Sequence, residues 1–392
     1  MDYVSSPMGV VSRGIRTPII KPGDNLQDIV TSSVLGAQQQ FRDKDIIAIT
    51  EAVVAISQSN FVSPEDIQAD IVSKFSGVTE IAIVDPIQSR NRFIEILKAI
   101  AAIPQFKKVY IFMTYPSDEV GNRFVSEKSM MEKGVNPYKD IFTTQQFYET
   151  FGKPRHPFTG KNYIEEYEKA CNGKAEIIMC NDFSKIPDYC KDILVCSIHR
   201  RKRVKEEIIK QNGADKVLDM SEIMNAPING SGYNAEFGLY GSNAMAGGQL
   251  KLMPRDSQTF VEAFQSYIEK GYGRHVEVMI YGDGAFKDPV GEIWELADPQ
   301  TTLGATAGLK GTPKEVKLKY LASLHPDKTP EEIEAIVAKE RAERIKSEDI
   351  SGEASLGTTP RQLTDLLASL SDLTTGSGDR QTPVVLISGY LK

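Results

Sequence analysis

The chain has 392 residues, 41% hydrophobic and 25% charged, with a formal net charge of −7. That length suits two domains or one large elaborated one, and that charge excludes the global basic field of a nucleic-acid binder. The four cysteines (Cys171, Cys180, Cys190 and Cys196) form no C-x-x-C pair, and His199 alone does not complete a zinc spacing. Cys180 and Cys196 stand in apolar runs, where cysteine behaves as a small hydrophobe. The N-terminus lacks a signal-peptide apolar stretch and no apolar run approaches membrane-spanning length. The expectation is a cytoplasmic protein with no membrane partner.

In chain order, "RTPIIKPGDNLQDIV" (16–30) contains a turn. Pro22 presets φ, Gly23 permits φ > 0, and Asp24 or Asn25 can cap the helix that follows. "IIAITEAVVAIS" (46–57) reads as a strand running into a helical turn. It puts the Thr50 hydroxyl and the Glu51 carboxylate at the carboxyl edge of a sheet, where open α/β sheets bind ligands. A helix cap explains the same residues. Strand runs recur at 80–84, 108–114, 175–180 and 192–198, several apolar almost throughout, as strands covered on both faces are. Helical periods lie between them: "RFIEILKAIAAI" (92–103), and "RVKEEIIKQNG" (203–213) with Gly213 near a C-cap position. The basic run "HRRKRVK" (199–205) reads as a solvated helix start or a phosphate contact. The alternation predicts an α/β fold.

Two strand ends in this region are polar. "DPIQSRNRF" (85–93) offers Asp85, Arg90 and Arg92, and "YPSDEVGNRFV" (115–125) offers Ser117, Asp118, Glu119 and Asn122. Arginine is the natural bidentate partner of a carboxylate, so the two can hold an acidic substrate; caps and salt bridges account for them equally. The glycine-rich 228–248 segment is long for a loop without a function. Within it "GYNAEFGLYGSN" (232–243) can form an anion nest or an ordered surface loop, and Glu236 is its one carboxylate.

A strand at 275–281 leads into "YGDGAFKDP" (281–289). Asp283, Asp288 and then Glu292 can supply oxygens to a hard divalent cation, while a type I′ hairpin explains "GDG" as well. Residues 330–349 read as a charged, exposed helix, and a last strand falls at 382–391. Before it, Thr375-Gly376-Ser377-Gly378 lacks the Walker A signature. It can present N–H groups to phosphate or be a flexible turn.

The order of these motifs resembles that of the coenzyme F-420 γ-glutamyl ligase family. "TPIIKPGDNLQDIV", "DIIAITEAVVAISQSN", "GLYGSN…GGQLKLMPRD", "VEVMIYGDGAFKDP" and "DLTTGSGDRQTPVVLISGY" follow one another as that family's five motifs do. "YPSDEVGN", "GSGYN", "WELADP" and "GTPKEVKLKYLA" are similar to its longer bacterial relatives, some proposed to glutamylate folate. The resemblance implies a ligase core of mixed sheets (1–75 and 226–310), an inserted parallel α/β subdomain (76–225), and a helical extension with the C-terminal nucleotide-loop strand (311–392). It implies a homodimer that uses GTP or ATP with Mg or Mn to join L-glutamate to a pterin- or deazaflavin-type acceptor through an acyl phosphate. Arg16, Thr17, Pro18, Ile19, Thr50, Glu51, Ser242, Asn243, Gly284, Gly376 and Ser377 would then contact nucleotide. Asp283, with Glu51, Glu236 and Asp288, would serve the metal, and Arg90, Arg92, Ser117, Asp118 and Asn122 the substrate.

Three positions depart from the family pattern. Its metal-binding aspartate falls on Tyr240, and two lysines expected near the phosphates fall on Ala52 and Ile56. An amide ligase for another acid and amine, and a non-catalytic nucleotide-binding relative, are the alternatives.

Overall fold

Five strands form a central mixed sheet in the order β1 (Val11–Ile15), β14 (Val384–Ser388), β2 (Ile46–Thr50), β12 (Glu277–Asp283) and β13 (Gln300–Ala305). This is seen in a computed structural model that describes residues 9–88, 92–119, 121–157, 159–283, 300–311, 316, 318–346, 362–375 and 381–391. β2 and β12 run parallel, and the other neighbours are antiparallel. Side chains alternate between the faces. Ile47, Ile49, Val278, Ile280, Val384 and Leu386 pack against the helices Leu26–Gly36 and Ser257–Tyr272. Ile46, Ala48, Met279, Tyr281, Val385 and Ile387 pack against the helix Leu363–Thr375. Cover on both faces explains why these strands lack polar alternation.

A six-stranded sheet is built from residues 80–219, in the order β6 (Phe142–Thr143), β7 (Ala175–Met179), β5 (Lys108–Met113), β4 (Glu80–Val84), β8 (Asp192–Val195) and β9 (Lys216–Asp219). All its pairs are parallel except the β6 edge. Chain order reverses between β4 and β8, making the crevice outside their carboxyl ends a topological switch point. The fold class is α/β, as the alternation predicts. A short antiparallel sheet, β10 (Asn243–Ala244), β11 (Leu250–Lys251) and β3 (Phe61–Val62), joins the glycine-rich segment to the chain after β2.

Local signals mostly hold. Asn25, not Asp24, caps the first helix by accepting from Asp28 N. The last strand begins after Pro383, which has no N–H for the ladder, and ends before Gly389 at φ +77°. Gly213 is not the left-handed residue after its helix: Asn212 takes φ +52°, and Gly213 lies against Pro187, where a Cβ would stand 2.9 Å from the proline Cβ. The basic run starts the helix Arg201–Lys210 and is partly consumed by the fold. Arg200 Nη2 lies 2.9 Å from both Asp85 oxygens, and Lys205 pairs with Asp219 and Glu222. Among the described residues no helix is long and apolar enough to cross a membrane.

All four cysteines are buried and unpaired. Burial pushes the thiols of Cys171 and Cys180 up to about 12 and that of Cys190 to about 11, and it raises Cys196 well above its ordinary value. The thiolate is the reactive form. Native protein at neutral pH should therefore resist iodoacetamide at all four positions, while denatured protein takes up four equivalents by mass; rapid native labelling would refute this packing.

Candidate active site

One edge of the central sheet collects four of the five sequence motifs. At this edge lie the carboxyl ends of β1, β2 and β12 and the amino ends of β14 and β13. Thr17 N donates to Gln381 O at 3.1 Å, and Thr50 N donates to Pro383 O at 2.9 Å. Tyr281 pairs in register with Thr50, and Asp283 with Gln300. Thr375 O accepts from Thr382 Oγ1, so both flanks of the 376–380 loop stand at this edge. Arg16, Pro18 and Ile19 are exposed just beyond β1, Ile19 at 74%.

That register excludes the hairpin reading of "GDG". A two-residue hairpin would fold the strand back at Gly282 or Asp283. Instead β12 runs through both, and its partner strand begins at Gln300. The connection spans 284–299, and Asp283 is the last strand residue before it.

Glu51 opens the helix Glu51–Ser57 directly after β2 and is 7% exposed. Its Oε2 lies 2.5 Å from Lys251 Nζ, and both side chains are buried. A buried pair of this kind offsets the desolvation of each charge only while both partners remain. Lys251 comes from β11, 200 residues away in sequence. Its register partner in β10 is Asn243, which brings the Gly-Ser-Asn turn to the same place. Ser242, 1% exposed, has an Oγ without a hydrogen-bond partner among the described residues. The cation beside Glu51 is thus supplied from another strand. Sequence inspection missed Lys251; its one signal is a lone charge between the leucines of "QLKLM".

Gly282 is what allows Glu51 in. A Cβ on Gly282 would stand 2.4 Å from Glu51 Cγ and 3.1 Å from its Cβ. Glu51 cannot swing aside without leaving Lys251. Gly282→Ala should cost about 1–3 kcal/mol through overpacking and lower activity with it. Chemical denaturation checks this, and a variant as stable as wild type would show that the approach is not tight.

The remaining predicted residues lie elsewhere or outside the described set. The Tyr240 hydroxyl donates to Ser197 O at 2.8 Å, after β8, and Arg201 covers the ring at 5.1 Å. Burial raises its pKa well above the usual tyrosine value, aided by the Asp219 charge, so the phenol stays neutral. Glu236 is exposed, and no hydrogen bond or ion pair found among the described residues joins its carboxylate to Glu51 or Lys251. Ser117, Asp118 and Asn122 stand past the carboxyl end of β5. Asp118 is buried, accepting from Asn122 N at 2.7 Å and Asn122 Nδ2 at 2.8 Å, with His156 Nε2 2.9 Å away. Arg90, Gly284, Asp288, Gly376 and Ser377 lie outside the described residues, as do the side chains of Arg92 and Asp283.

The described residues test a divalent cation only in part. Among them no three acidic, histidine or cysteine side chains gather in a metal-sized group. Glu51 already has one oxygen on Lys251. Magnesium commonly takes one or two carboxylates and keeps several waters.

A family model described as F420-0:Gamma-glutamyl ligase matches residues 14–389. No curated protein matches the sequence.

Proposed function

The chain belongs to the F420-0:gamma-glutamyl ligase family, and from that premise we propose that the central-sheet edge is a nucleotide-dependent γ-glutamyl ligase centre. Membership carries the reaction class, an amide bond to glutamate on a small-molecule acceptor. The observation that supports locating it here is the convergence of Thr17, Thr50, Glu51, Lys251 and Asp283 on one edge.

In the proposed reaction an acceptor carboxylate oxygen attacks the γ-phosphorus of GTP or ATP. The bond from phosphorus to the β,γ-bridging oxygen breaks, and an acyl phosphate and a nucleoside diphosphate form. The glutamate amine then attacks the acyl carbon. Phosphate leaves with the acceptor's former carboxylate oxygen, and the amine loses a proton to solvent. Little covalent work falls to the protein; positioning and charge neutralisation supply the catalysis.

We place the nucleotide phosphates beside Thr17 and the 376–381 segment, whose Gly-Ser-Gly sequence can present backbone N–H groups to them. Lys251 adds a cation at the place where family lysines are missing, and Glu51 holds it there. Asp283, with Glu51, would hold Mg or Mn, which when bound neutralises phosphate charge. Glu236 and Asp288 remain further candidate ligands. Arg90, Arg92, Ser117, Asp118 and Asn122 remain candidates for acceptor contacts on the inserted sheet. The acceptor class we propose is pterin- or deazaflavin-like, in a homodimer of the cytoplasm.

The test is phosphate release from GTP and from ATP, with Mg or Mn, L-glutamate and each acceptor class. Release should depend on glutamate and fall at least about 100-fold in Asp283→Asn, the scale of removing one transition-state electrostatic contact. Tight nucleotide binding without any turnover would instead identify a non-catalytic relative.

A further inference from the structure

The switch point between β4 and β8 is where an open α/β sheet takes a ligand, and two charged residues meet there. Asp85 directly follows β4, and Arg200 stands past β8. Arg200 Nη2 lies 2.9 Å from both Asp85 oxygens, and Thr114 Oγ1, just after β5, donates to Asp85 Oδ1 at 3.4 Å. The guanidinium also sits 5.6 Å from the centre of the Phe183 ring. Ion pairing on one side and an aromatic face on another fix its orientation. The Asp85 side chain is 0% exposed and that of Arg200 28%, so solvent meets the cation and not the acid behind it.

A single nitrogen does all of that pairing. Nε and Nη1, with three N–H groups between them, make no hydrogen bond among the described residues. An oriented guanidinium with spare donors and access to solvent suits the oxygens of a carboxylate or phosphate.

The charge around it has the same sign. In a chain of net charge −7, the run "HRRKRVK" (199–205) holds five cations and no carboxylate. Lys202 and Arg203 are exposed and join no ion pair among the described residues. Both stand in the first turn of the helix Arg201–Lys210, at its positive end, where cations cost stability. The same arrangement strengthens the local field for an anion.

The glycine-rich loop connects this place to the ligase edge. Ser197 Oγ accepts from Arg200 N at 3.2 Å, and Ser197 O accepts from the Tyr240 hydroxyl at 2.8 Å. Three residues further on, Asn243 pairs in register with Lys251, which holds Glu51. Three residues span at most about 11 Å. Leu239, Tyr240, Leu250 and Leu252 share one core with Ile81 and Ile83 of β4, so the loop is packed onto the inserted sheet. One small molecule can reach from Arg200 to the ligase edge.

We infer that the acceptor carries a second anionic group, a carboxylate or a phosphate, and that Arg200 at the switch point binds it while the reacting carboxylate lies at the ligase edge. The reacting end rests on the ligase reading. The anion site needs no nucleotide, so the two fail separately.

The experiment is isothermal titration calorimetry of the nucleotide-free full chain at low salt. γ-L-Glutamyl-L-glutamate is the carboxylate probe and phenyl phosphate the phosphate probe. One of them should saturate below about 1 mM, and which one does so names the source of the anion. Arg200→Lys keeps a cation beside Asp85 but loses the planar fork. It should weaken that probe at least about tenfold with unchanged circular dichroism. Lys202→Gln should weaken it less, and Asp283→Asn should leave it unchanged. In the ligase assay Arg200→Lys should raise the acceptor KM and leave the nucleotide KM as it is. No saturable binding of either probe, or binding that Arg200→Lys does not weaken, would overturn the assignment. Probe binding lost in Arg200→Lys by a chain that glutamylates nothing would keep the anion site and overturn the ligase reading instead.

Discussion

Lys251→Met should destabilise the protein by about 3–5 kcal/mol and abolish turnover even where the fold survives. The cause is Glu51, left 7% exposed with an uncompensated charge. The double variant Glu51→Gln/Lys251→Met separates the two effects. With both charges gone the burial penalty is lifted, so most of the stability should return. Activity should not return, because the proposed phosphate-side cation and the proposed metal ligand are then both missing. Urea denaturation and phosphate release measured on the same preparations decide this. A double variant that regains activity would show that the pair is purely structural.

Tyr240 gives the second large effect, and its direction separates two readings of the position. If the residue merely stands in for a metal ligand, Tyr240→Asp should improve the site. The structure argues the opposite. The ring is buried against Arg201, and its hydroxyl anchors the glycine-rich loop to Ser197 of the neighbouring sheet. Tyr240→Ala should cost about 3–5 kcal/mol, as large aromatic deletions do. Tyr240→Phe should cost about 1–3 kcal/mol from the carbonyl left unsatisfied. Tyr240→Asp adds a buried carboxylate to the cavity and should be the least stable of the three. Manganese binding followed by paramagnetic relaxation should show no gain in that variant. Tighter metal binding in a folded Tyr240→Asp protein would contradict this role.

What the sequence made legible follows the range of each interaction. The apolar strand runs, the α/β alternation and the Asn25 turn depend on residues within a few positions, and they read correctly. The fate of "GDG" depends on β12 pairing with β13 beyond residue 300, which no local pattern contains. The Glu51–Lys251 pair closes over 200 residues and His156–Asp118 over 38. Neither partner carries a spacing signal. Asp118 reads from sequence as a candidate substrate contact because it follows a strand. Its oxygens also face Asn122 and His156.

Tyr281–Asp283 is the most instructive stretch. Its first glycine is set by the approach of Glu51 and its aspartate by the end of a strand, so both are sheet features before they are turn features.

The reaction class is tested most directly by following an oxygen. An acceptor labelled with heavy oxygen in its carboxylate is incubated with nucleotide, divalent cation and L-glutamate, and products are read by mass spectrometry. The account predicts a glutamylated acceptor and inorganic phosphate carrying one labelled oxygen per turnover. Phosphate without label, or no glutamylated product from either acceptor class, would contradict it.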